Sequence, residues 1–179
     1  MEVNVEDSNA KKGVLIAEPL ERGFGLTLGN AIRRILLSSL QGAAITSVKI
    51  KGVVHEFSTI PGVKEDLTEI LLNLKSIAVK VHSPGLKKMY LKSTGSGELR
   101  AGNFEADSET EILNPDQLIM TLDSNADVEI EANVETGKGY VSAEVAEDEN
   151  KIIGEIKLDA MFSPVIKATY KVENSRVGQ

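Results

Sequence analysis

The chain contains no cysteine, and its only histidines are His55 and His82. Without cysteine it cannot form disulfides, bind a metal through thiolates or use a cysteine nucleophile. Two histidines that lie far apart in sequence do not supply the ligand set of a typical zinc site. We therefore predict no metal and no other cofactor, and we interpret both histidines as structural.

Aromatic residues make up only 4% of the sequence, and tryptophan is absent. The net charge is −7, and basic residues are scattered rather than clustered. Nucleic acid binding depends on clustered lysine and arginine for phosphate contacts and on aromatic side chains for base stacking. We therefore expect no direct nucleic acid contact from this chain.

Long apolar runs are also missing. No run approaches the roughly 20 residues that a membrane-spanning helix needs. The first residues, MEVNVEDSNAKK, are too acidic and polar for a secretion signal. These features predict a protein of the cytoplasm with no membrane partner.

Catalytic motifs are scarce as well. Gly23-Phe24-Gly25 suggests a phosphate loop, but a dinucleotide fingerprint needs glycine where the chain has Leu28, and no Lys-Ser/Thr pair follows. The acidic residues lie in a solvated run or on the water-facing side of a predicted strand, so they form no evident acid–base pair. We predict no catalytic residue, and an enzyme acting on small molecules is the least favoured class.

The strongest pattern that is present runs from Glu18 to Gln41. Thr27 is the predicted N-cap of a helix from about Leu28 to Leu40, because apolar residues recur at helical spacing. The apolar side of this helix carries Leu28, Ile32, Ile35, Leu36 and Leu40, and the other side carries Asn30, Arg34, Leu37 and Ser38. One interpretation is an ordinary core helix with a surface leucine. The other is a helix with two partners, one of them another chain, a contact that suits arginine.

Most of the remaining sequence predicts strands. Period-two alternation indicates strands at Ile45–Val54 and Asp127–Glu135, and a last strand from Ile166 to Val172. In the second of these, the residues predicted to point inward are Val128, Ile130, Ala132 and Val134. A second helix is predicted to open at Pro61-Gly62, with an apolar stripe formed by Val63, Leu67, Ile70, Leu71 and Leu74. Further expectations are a strand pair within residues 1–20 with a turn at 7–9, short strands at Met89–Lys92 and Ile152–Leu158, and an exposed acidic loop at Ala143–Lys151. Two helices among many short strands, without regular alternation, indicate an α+β fold.

Five stretches carry a family resemblance: ERGFGLTLGNAIRRILLSS, VVHEFSTIPGVKEDLTEILLNLK, GKGYV, DAMFSPV and YKVENSRVGQ. They closely resemble the bacterial RNA polymerase alpha subunit, N-terminal domain, from about Val14 onward. The resemblance implies a discontinuous dimerisation subdomain, residues 1–41 plus 168–179, in which a helix packs on an antiparallel sheet. It also implies an inserted, mainly β assembly subdomain at residues 42–167. The family continues past the position of Gln179 into a last long helix, so we expect a chain truncated at its C-terminal end, with that helix missing.

The resemblance further implies a function as a non-catalytic scaffold. Such a subunit homodimerises and nucleates assembly of the β and β′ subunits of DNA-directed RNA polymerase, a nucleotidyltransferase complex whose active site lies in those other subunits. By resemblance, the dimer interface comprises Phe24, Leu28, Ile32, Ile35 and Leu36, the β-subunit contact comprises Arg34 and Leu37, and a possible β′-subunit contact comprises Ser163, Pro164 and Val165. The alternative is a free-standing dimeric binding module or regulator that uses the same fold to sequester a polymerase subunit.

Overall fold

The computed structural model describes residues 2–6, 12–143 and 153–174. The chain divides into two compact units: a two-segment unit, Met1–Leu37 with Val165–Gln179, and a central unit, Ser38–Pro164. Two α-helices and many antiparallel strands occur within the described residues, so the predicted α+β fold is confirmed. Neither of these helices is both long and apolar enough to cross a lipid bilayer.

The two-segment unit opens with a pair of antiparallel strands. Strand β1, Glu2–Glu6, pairs with β2, Val14–Glu18, and the register places Glu2 opposite Glu18. The strand pair predicted for residues 1–20 is therefore confirmed. The predicted turn at residues 7–9 lies outside the described residues.

The first helix, α1, spans Phe24–Ser38 and begins one turn earlier than predicted. Thr27 lies inside the helix, so its assignment as the N-cap is wrong. Gly23 adopts a φ of 89°, and the Phe24 N–H donates to the Glu21 carbonyl at 3.0 Å. A tight glycine turn therefore starts the helix in place of a side-chain cap. The helix also ends before the predicted Leu40, because the next strand already begins at Gln41.

The second segment of this unit contains no strand or helix within residues 165–174. The predicted last strand from Ile166 to Val172 is therefore wrong. The physical reason is that this segment bonds to side chains of α1: the Ala168 carbonyl accepts a hydrogen bond from Arg33 Nε at 3.2 Å. We call residues 168–172 the strap.

The central unit is built on a mixed-length antiparallel sheet. The central unit contains the strands β3 Gln41–Ile50, β4 Val79–Val81, β5 Lys87–Thr94, β6 Gly97–Arg100, β7 Thr110–Ile112, β8 Leu118–Leu122, β9 Asp127–Lys138, β10 Tyr140–Val141, β11 Glu155–Lys157 and β12 Ala160–Met161. The main sheet has the order β5-β9-β3-β4-β7, and β11 also pairs with β3. Two smaller pairs, β6-β8 and β10-β12, complete the unit. A short 3-10 helix, Ala101–Asn103, follows β6.

Strands β3 and β9 form the centre of this sheet. They pair from Gln41 opposite Lys138 to Ile50 opposite Ile130. The prediction that Val128, Ile130, Ala132 and Val134 point inward is confirmed, because all four are buried. Strand β3 begins earlier than predicted and ends at Ile50, where Gly52 at φ 80° turns the chain.

The second helix, α2, spans Leu67–Lys75 and covers the sheet with four buried residues. These are Leu67, Ile70, Leu71 and Leu74. The predicted opening at Pro61-Gly62 is wrong, because the Asp66 side chain caps the helix by accepting the Glu69 N–H at 2.7 Å. The preceding residues are held instead by β8, where Lys64 N–H donates to the Thr121 carbonyl at 3.1 Å.

Two glycines let the end of the central unit pack closely. A Cβ on Gly42 would overlap the carbonyl oxygen of Phe162, and one on Gly137 would lie 2.7 Å from the Phe162 ring. Phe162 is buried as a result, in a small cluster with Ala44 and Ala160. This packing fixes the backbone that leads into Ser163. The predicted strand at Ile152–Leu158 is shorter in the structure, and most of the predicted acidic loop lies outside the described residues.

Candidate functional site

Helix α1 stands out because it has no buried residue although it is rich in apolar side chains. Phe24 and Ile35 are 58% and 54% exposed. Leu28, Ile32 and Leu36 are half-buried. At 100° per residue, these five predicted interface residues share one side of the helix. An apolar stripe of this kind normally faces a core, so its exposure marks a contact surface.

The residues predicted to meet the β subunit lie on the same helix, turned away from that stripe. Arg34 is exposed, and Leu37 is half-buried. Arg34 follows Ile32 and precedes Leu36, so the helical rotation places it well away from both. The helix therefore presents an arginine beside a leucine on one side and an apolar stripe on another.

The strap lies against the part of α1 that runs from the Leu36 edge of the stripe to Asn30. A Cβ on Gly25 would lie 2.9 Å from Val172 Cγ1, and one on Gly29 would lie 2.6 Å from Tyr170 Cγ. The Tyr170 hydroxyl donates to Asn30 Oδ1 at 2.9 Å. Sequence reasoning missed this contact, although the four-residue spacing of Gly25 and Gly29 was a usable signal for a close-packed helix face.

The segment predicted to meet the β′ subunit has mixed accessibility. Ser163 is only 7% exposed, Pro164 is exposed and Val165 is half-buried. Pro164 is thus the residue of the three whose side chain is most accessible. Tyr140 and Met161, which are opposite each other in the β10-β12 pair, are also exposed.

The open face of the main sheet carries a ladder of cross-strand ion pairs. Lys51 pairs with Asp127 at 2.8 Å, and Lys92 pairs with Glu129 at 2.6 Å. Hydrogen bonding to Lys51 lowers the pKa of Asp127, and hydrogen bonding to Lys92 lowers the pKa of Glu129. Lys51, Lys92 and Glu129 line an open groove of about 610 Å³. Because acids match the lysines, this face offers no strong field of one sign.

A more enclosed polar cluster lies beside this sheet. Asn133 Nδ2 donates to Ser47 Oγ at 2.9 Å and to Glu155 Oε1 at 3.1 Å, and Ser47 Oγ also donates to Glu155 Oε1. Burial works to raise the pKa of Glu155, but hydrogen bonds from Ser47, Lys157 and Asn133 outweigh it, so the pKa is lowered. The carboxylate thus ties β11 to β3 and β9.

The two histidines lie in separate places with ordinary partners. Ser58 Oγ is 3.3 Å from His55 Nδ1, within the loop before α2. His82 Nε2 is 3.7 Å from a Glu111 oxygen. Across residues 2–6, 12–143 and 153–174, no group of three or more metal-ligating side chains is placed to hold an ion.

Fold and surface together define an α+β protein with a β-rich central unit and a first helix whose apolar stripe includes the exposed Phe24 and Ile35. Residues 48–163 match the family described as the RNA polymerase Rpb3/RpoA insert domain, and the chain belongs to that family. The resemblance to the RNA polymerase alpha N-terminal domain is thereby confirmed. The chain is an alpha-type polymerase subunit, and it associates with other subunits of that enzyme. The match falls in the central unit, and α1 and the strap lie outside it.

Proposed function

We propose that this chain is the assembly subunit of a DNA-directed RNA polymerase, which forms a homodimer and then takes up the β and β′ subunits. The observation that carries the proposal is the apolar stripe of α1, a 15-residue helix that has no buried residue and in which Phe24 and Ile35 are more than half exposed. Membership in the alpha-type family supplies the class of partner. In this proposal the larger subunits perform catalysis, and no residue of this chain takes part in it.

The dimer interface that we propose is the apolar stripe of α1. Its members are Phe24, Leu28, Ile32, Ile35 and Leu36. A twofold contact needs a surface that complements itself, and two copies of one apolar helix stripe meet that condition. Exposure of Phe24 and Ile35 supports this choice, because large apolar side chains gain most from being covered.

Two further surfaces are proposed for the large subunits. Arg34 and Leu37 would contact the β subunit, because a guanidinium beside an apolar side chain is a common composition at the centre of protein interfaces. Ser163, Pro164 and Val165 would contact the β′ subunit, with Pro164 as the most accessible side chain. Dimerisation is assigned to residues 1–41 plus 168–179, and the inserted assembly subdomain to residues 42–167. The two compact units support this division, because their boundaries along the chain fall between residues 37 and 38 and between residues 164 and 165.

The test is stepwise assembly monitored by size-exclusion chromatography with light scattering. The chain is run alone, then with purified β subunit, and then with β′ subunit added. We expect a dimer that captures one β subunit, accepts β′ and then supports RNA synthesis. A dimer that binds β but blocks addition of β′ would instead establish a sequestering regulator. A chain that binds neither subunit would refute the assembly role.

The Arg34→Ala variant tests the proposed β contact. Loss of a charged hydrogen-bonding group from an interface is expected to weaken capture of β by about tenfold or more. Dimerisation should be unchanged, because Arg34 lies away from the apolar stripe. Arg22→Ala is the matched control, since Arg22 is also exposed but precedes the helix. Equal capture of β by the two variants would contradict the assignment.

A further inference from the structure

Two glycines face each other across the central strand pair of the main sheet. In the register of β3 with β9, Gly42 lies directly opposite Gly137. Directly opposed residues point to the same face of a sheet. The next residue, Ala43, packs against the main core, so the two glycines lie on the other face. This pair of glycines, which we call the glycine slot, therefore leaves a bare patch of backbone on the face turned away from the main core.

Phe162 fills the glycine slot. A Cβ on Gly42 would overlap the Phe162 carbonyl oxygen, and a Cβ on Gly137 would lie 2.7 Å from Cδ2 and from Cε2 of the Phe162 ring. Neither glycine adopts a positive φ, so both positions need glycine for space and not for backbone conformation. The Phe162 side chain is buried, and with Ala44 and Ala160 it forms a cluster separate from the main core.

Strand β12, which leads into Phe162, is fixed at both ends. Before the strand, Asp159 Oδ2 lies 3.0 Å from Lys75 Nζ, and Asp159 Oδ1 accepts the Ala143 N–H at 3.0 Å. After the strand, the Phe162 N–H donates to the Gly139 carbonyl at 2.8 Å. The main chain that arrives at the glycine slot therefore has a defined position on the central unit.

The residues that follow Phe162 belong to the segment proposed to contact the β′ subunit. Ser163 is only 7% exposed, whereas Pro164 is exposed. The Pro164 ring passes close to the glycine slot, because its Cδ would lie 3.7 Å from a Cβ on Gly42. Binding costs less conformational entropy when a contacting residue is already held in place. The slot thus holds the main chain directly beneath the most accessible residue of the segment.

We propose that Gly42, Gly137 and Phe162 position Pro164 for uptake of the β′ subunit: the Phe162 ring, seated in the glycine slot, fixes the segment on the central unit before β′ binds. The inference rests on the proposed function and names residues that act on the β′ surface without being part of it. Phe162 is buried, so it need not touch β′ for this role.

Two measurements on one set of variants test this role. The first is the rate at which a small alkylating reagent modifies Ser163→Cys, the single thiol in an otherwise cysteine-free chain. This rate should be low, because residue 163 is buried. The second, made on chains that keep Ser163, is the affinity for purified β′ of the complex that the chain forms with β. Capture of β is the internal reference, because its proposed contacts, Arg34 and Leu37, lie on α1.

Gly137→Ala should displace the Phe162 ring, because a contact of 2.7 Å has to be relieved. The thiol rate at residue 163 should rise about tenfold and the affinity for β′ should fall about tenfold, with capture of β unchanged. Phe162→Ala should give the same result by emptying the slot. Phe162→Leu, which keeps an apolar side chain there, should remain within about threefold of the parent in both measurements.

Ile130→Ala is the matched control for a general loss of stability. Ile130 is 2% exposed and lies on β9, as Gly137 does, but it packs in the main core and not in the glycine slot. Its truncation should destabilise the central unit about as much as Phe162→Ala does. The thiol rate at residue 163 and the affinity for β′ should nevertheless match those of the parent.

Three outcomes would overturn the inference. Unchanged affinity for β′ in Gly137→Ala and Phe162→Ala, with the parent binding β′, would refute the positioning role and leave the proposed function intact. Equal loss of β′ affinity in Ile130→Ala would show that stability alone is involved. A parent chain that captures β but never β′ would overturn the proposed β′ contact together with this inference.

Discussion

At the scale of single residues, Glu65 holds the segment before α2 against β8. Its carboxylate accepts hydrogen bonds from the Thr121 N–H at 2.7 Å and from Thr121 Oγ1 at 2.8 Å. Replacement by glutamine removes the charge from both bonds, so Glu65→Gln is expected to lower the free energy of unfolding by about 1–2 kcal/mol. Urea unfolding near neutral pH measures this change.

The same residue predicts a pH dependence with a defined sign. Burial works to raise the pKa of Glu65, but the hydrogen bonds from Thr121 outweigh burial, so the pKa is lowered from its ordinary 4.5. A lowered pKa means that the stabilisation is present above the unfolded-state value and is lost as the pH falls through the folded-state value. The stability difference between the parent and Glu65→Gln should therefore shrink in acid.

Glu56→Gln is the control for both measurements, because Glu56 is exposed. It should change the free energy of unfolding by no more than about 0.5 kcal/mol, as most exposed substitutions do. A Glu65→Gln variant that is as stable as this control, or whose deficit grows in acid, would contradict the role given to Glu65.

At the scale of elements, α1 is a helix with no buried residue and with Phe24 and Ile35 more than half exposed. Ile35→Glu places a charge within the proposed interface, and burying that charge unpaired should weaken the dimer by about 3 kcal/mol, or roughly a hundredfold. Because Ile35 is largely exposed in the single chain, the fold of the chain should be retained. Sedimentation velocity over a concentration series measures the dimer constant.

Leu72→Glu is the matched variant for this test. Leu72 is 57% exposed on α2, so the substitution is chemically similar but falls on an element that is not part of the proposed interface. It should leave the dimer constant unchanged. If Leu72→Glu dissociates the dimer as strongly as Ile35→Glu does, the dimer forms through another surface.

At the scale of the whole molecule, the two units should respond differently to protein concentration. Binding of a second copy stabilises the region that it covers by mass action. Hydrogen exchange in Phe24–Ser38 should therefore slow as concentration rises through the dimer constant. Exchange in β9 and α2 should not change, because the inward-facing apolar residues of both elements are already buried within one chain. Mass spectrometry of exchanged peptides at two concentrations measures both.

Equal slowing of exchange in both units would contradict this expectation, since it would place the dimer contact on the central unit as well. Ile35→Glu provides the control. Because this variant should dimerise only weakly, hydrogen exchange in its α1 should be independent of protein concentration. The comparison therefore separates stability that is intrinsic to each unit from stability that the second copy supplies.

Apolar periodicity carried most of the successful prediction. The inward residues of β9 and the apolar stripe of α2 follow from a repeat of two or of 3.6 residues, which depends only on backbone geometry. Boundaries were less predictable. Thr27 is a good N-cap by residue type, yet a turn at Gly23 starts α1 earlier. Helix α2 begins later than predicted, because contacts with Thr121 hold the preceding residues outside the helix.

The predicted strand from Ile166 to Val172 failed for a different reason. Apolar and polar residues do alternate in this segment. Such alternation shows only that an extended segment has two different sides, and it does not identify the element against which the segment packs. In the structure that neighbour is a helix: Tyr170 and Val172 face Gly29 and Gly25, and Arg33 binds the Ala168 carbonyl. A segment that packs on a glycine-bearing helix and a segment that adds to a sheet have the same pattern of side chains.

By itself, the sequence determined the α+β class, the two helices and the family, because these depend on local periodicity and on motifs that can be read along the chain. Only the tertiary structure decided which sides of α1 are covered. The strap lies far from α1 in sequence, and contacts between such distant residues leave no local pattern. The glycines at 25 and 29 carried a signal of close approach, but the identity of the approaching residues, Val172 and Tyr170, comes only from the folded chain.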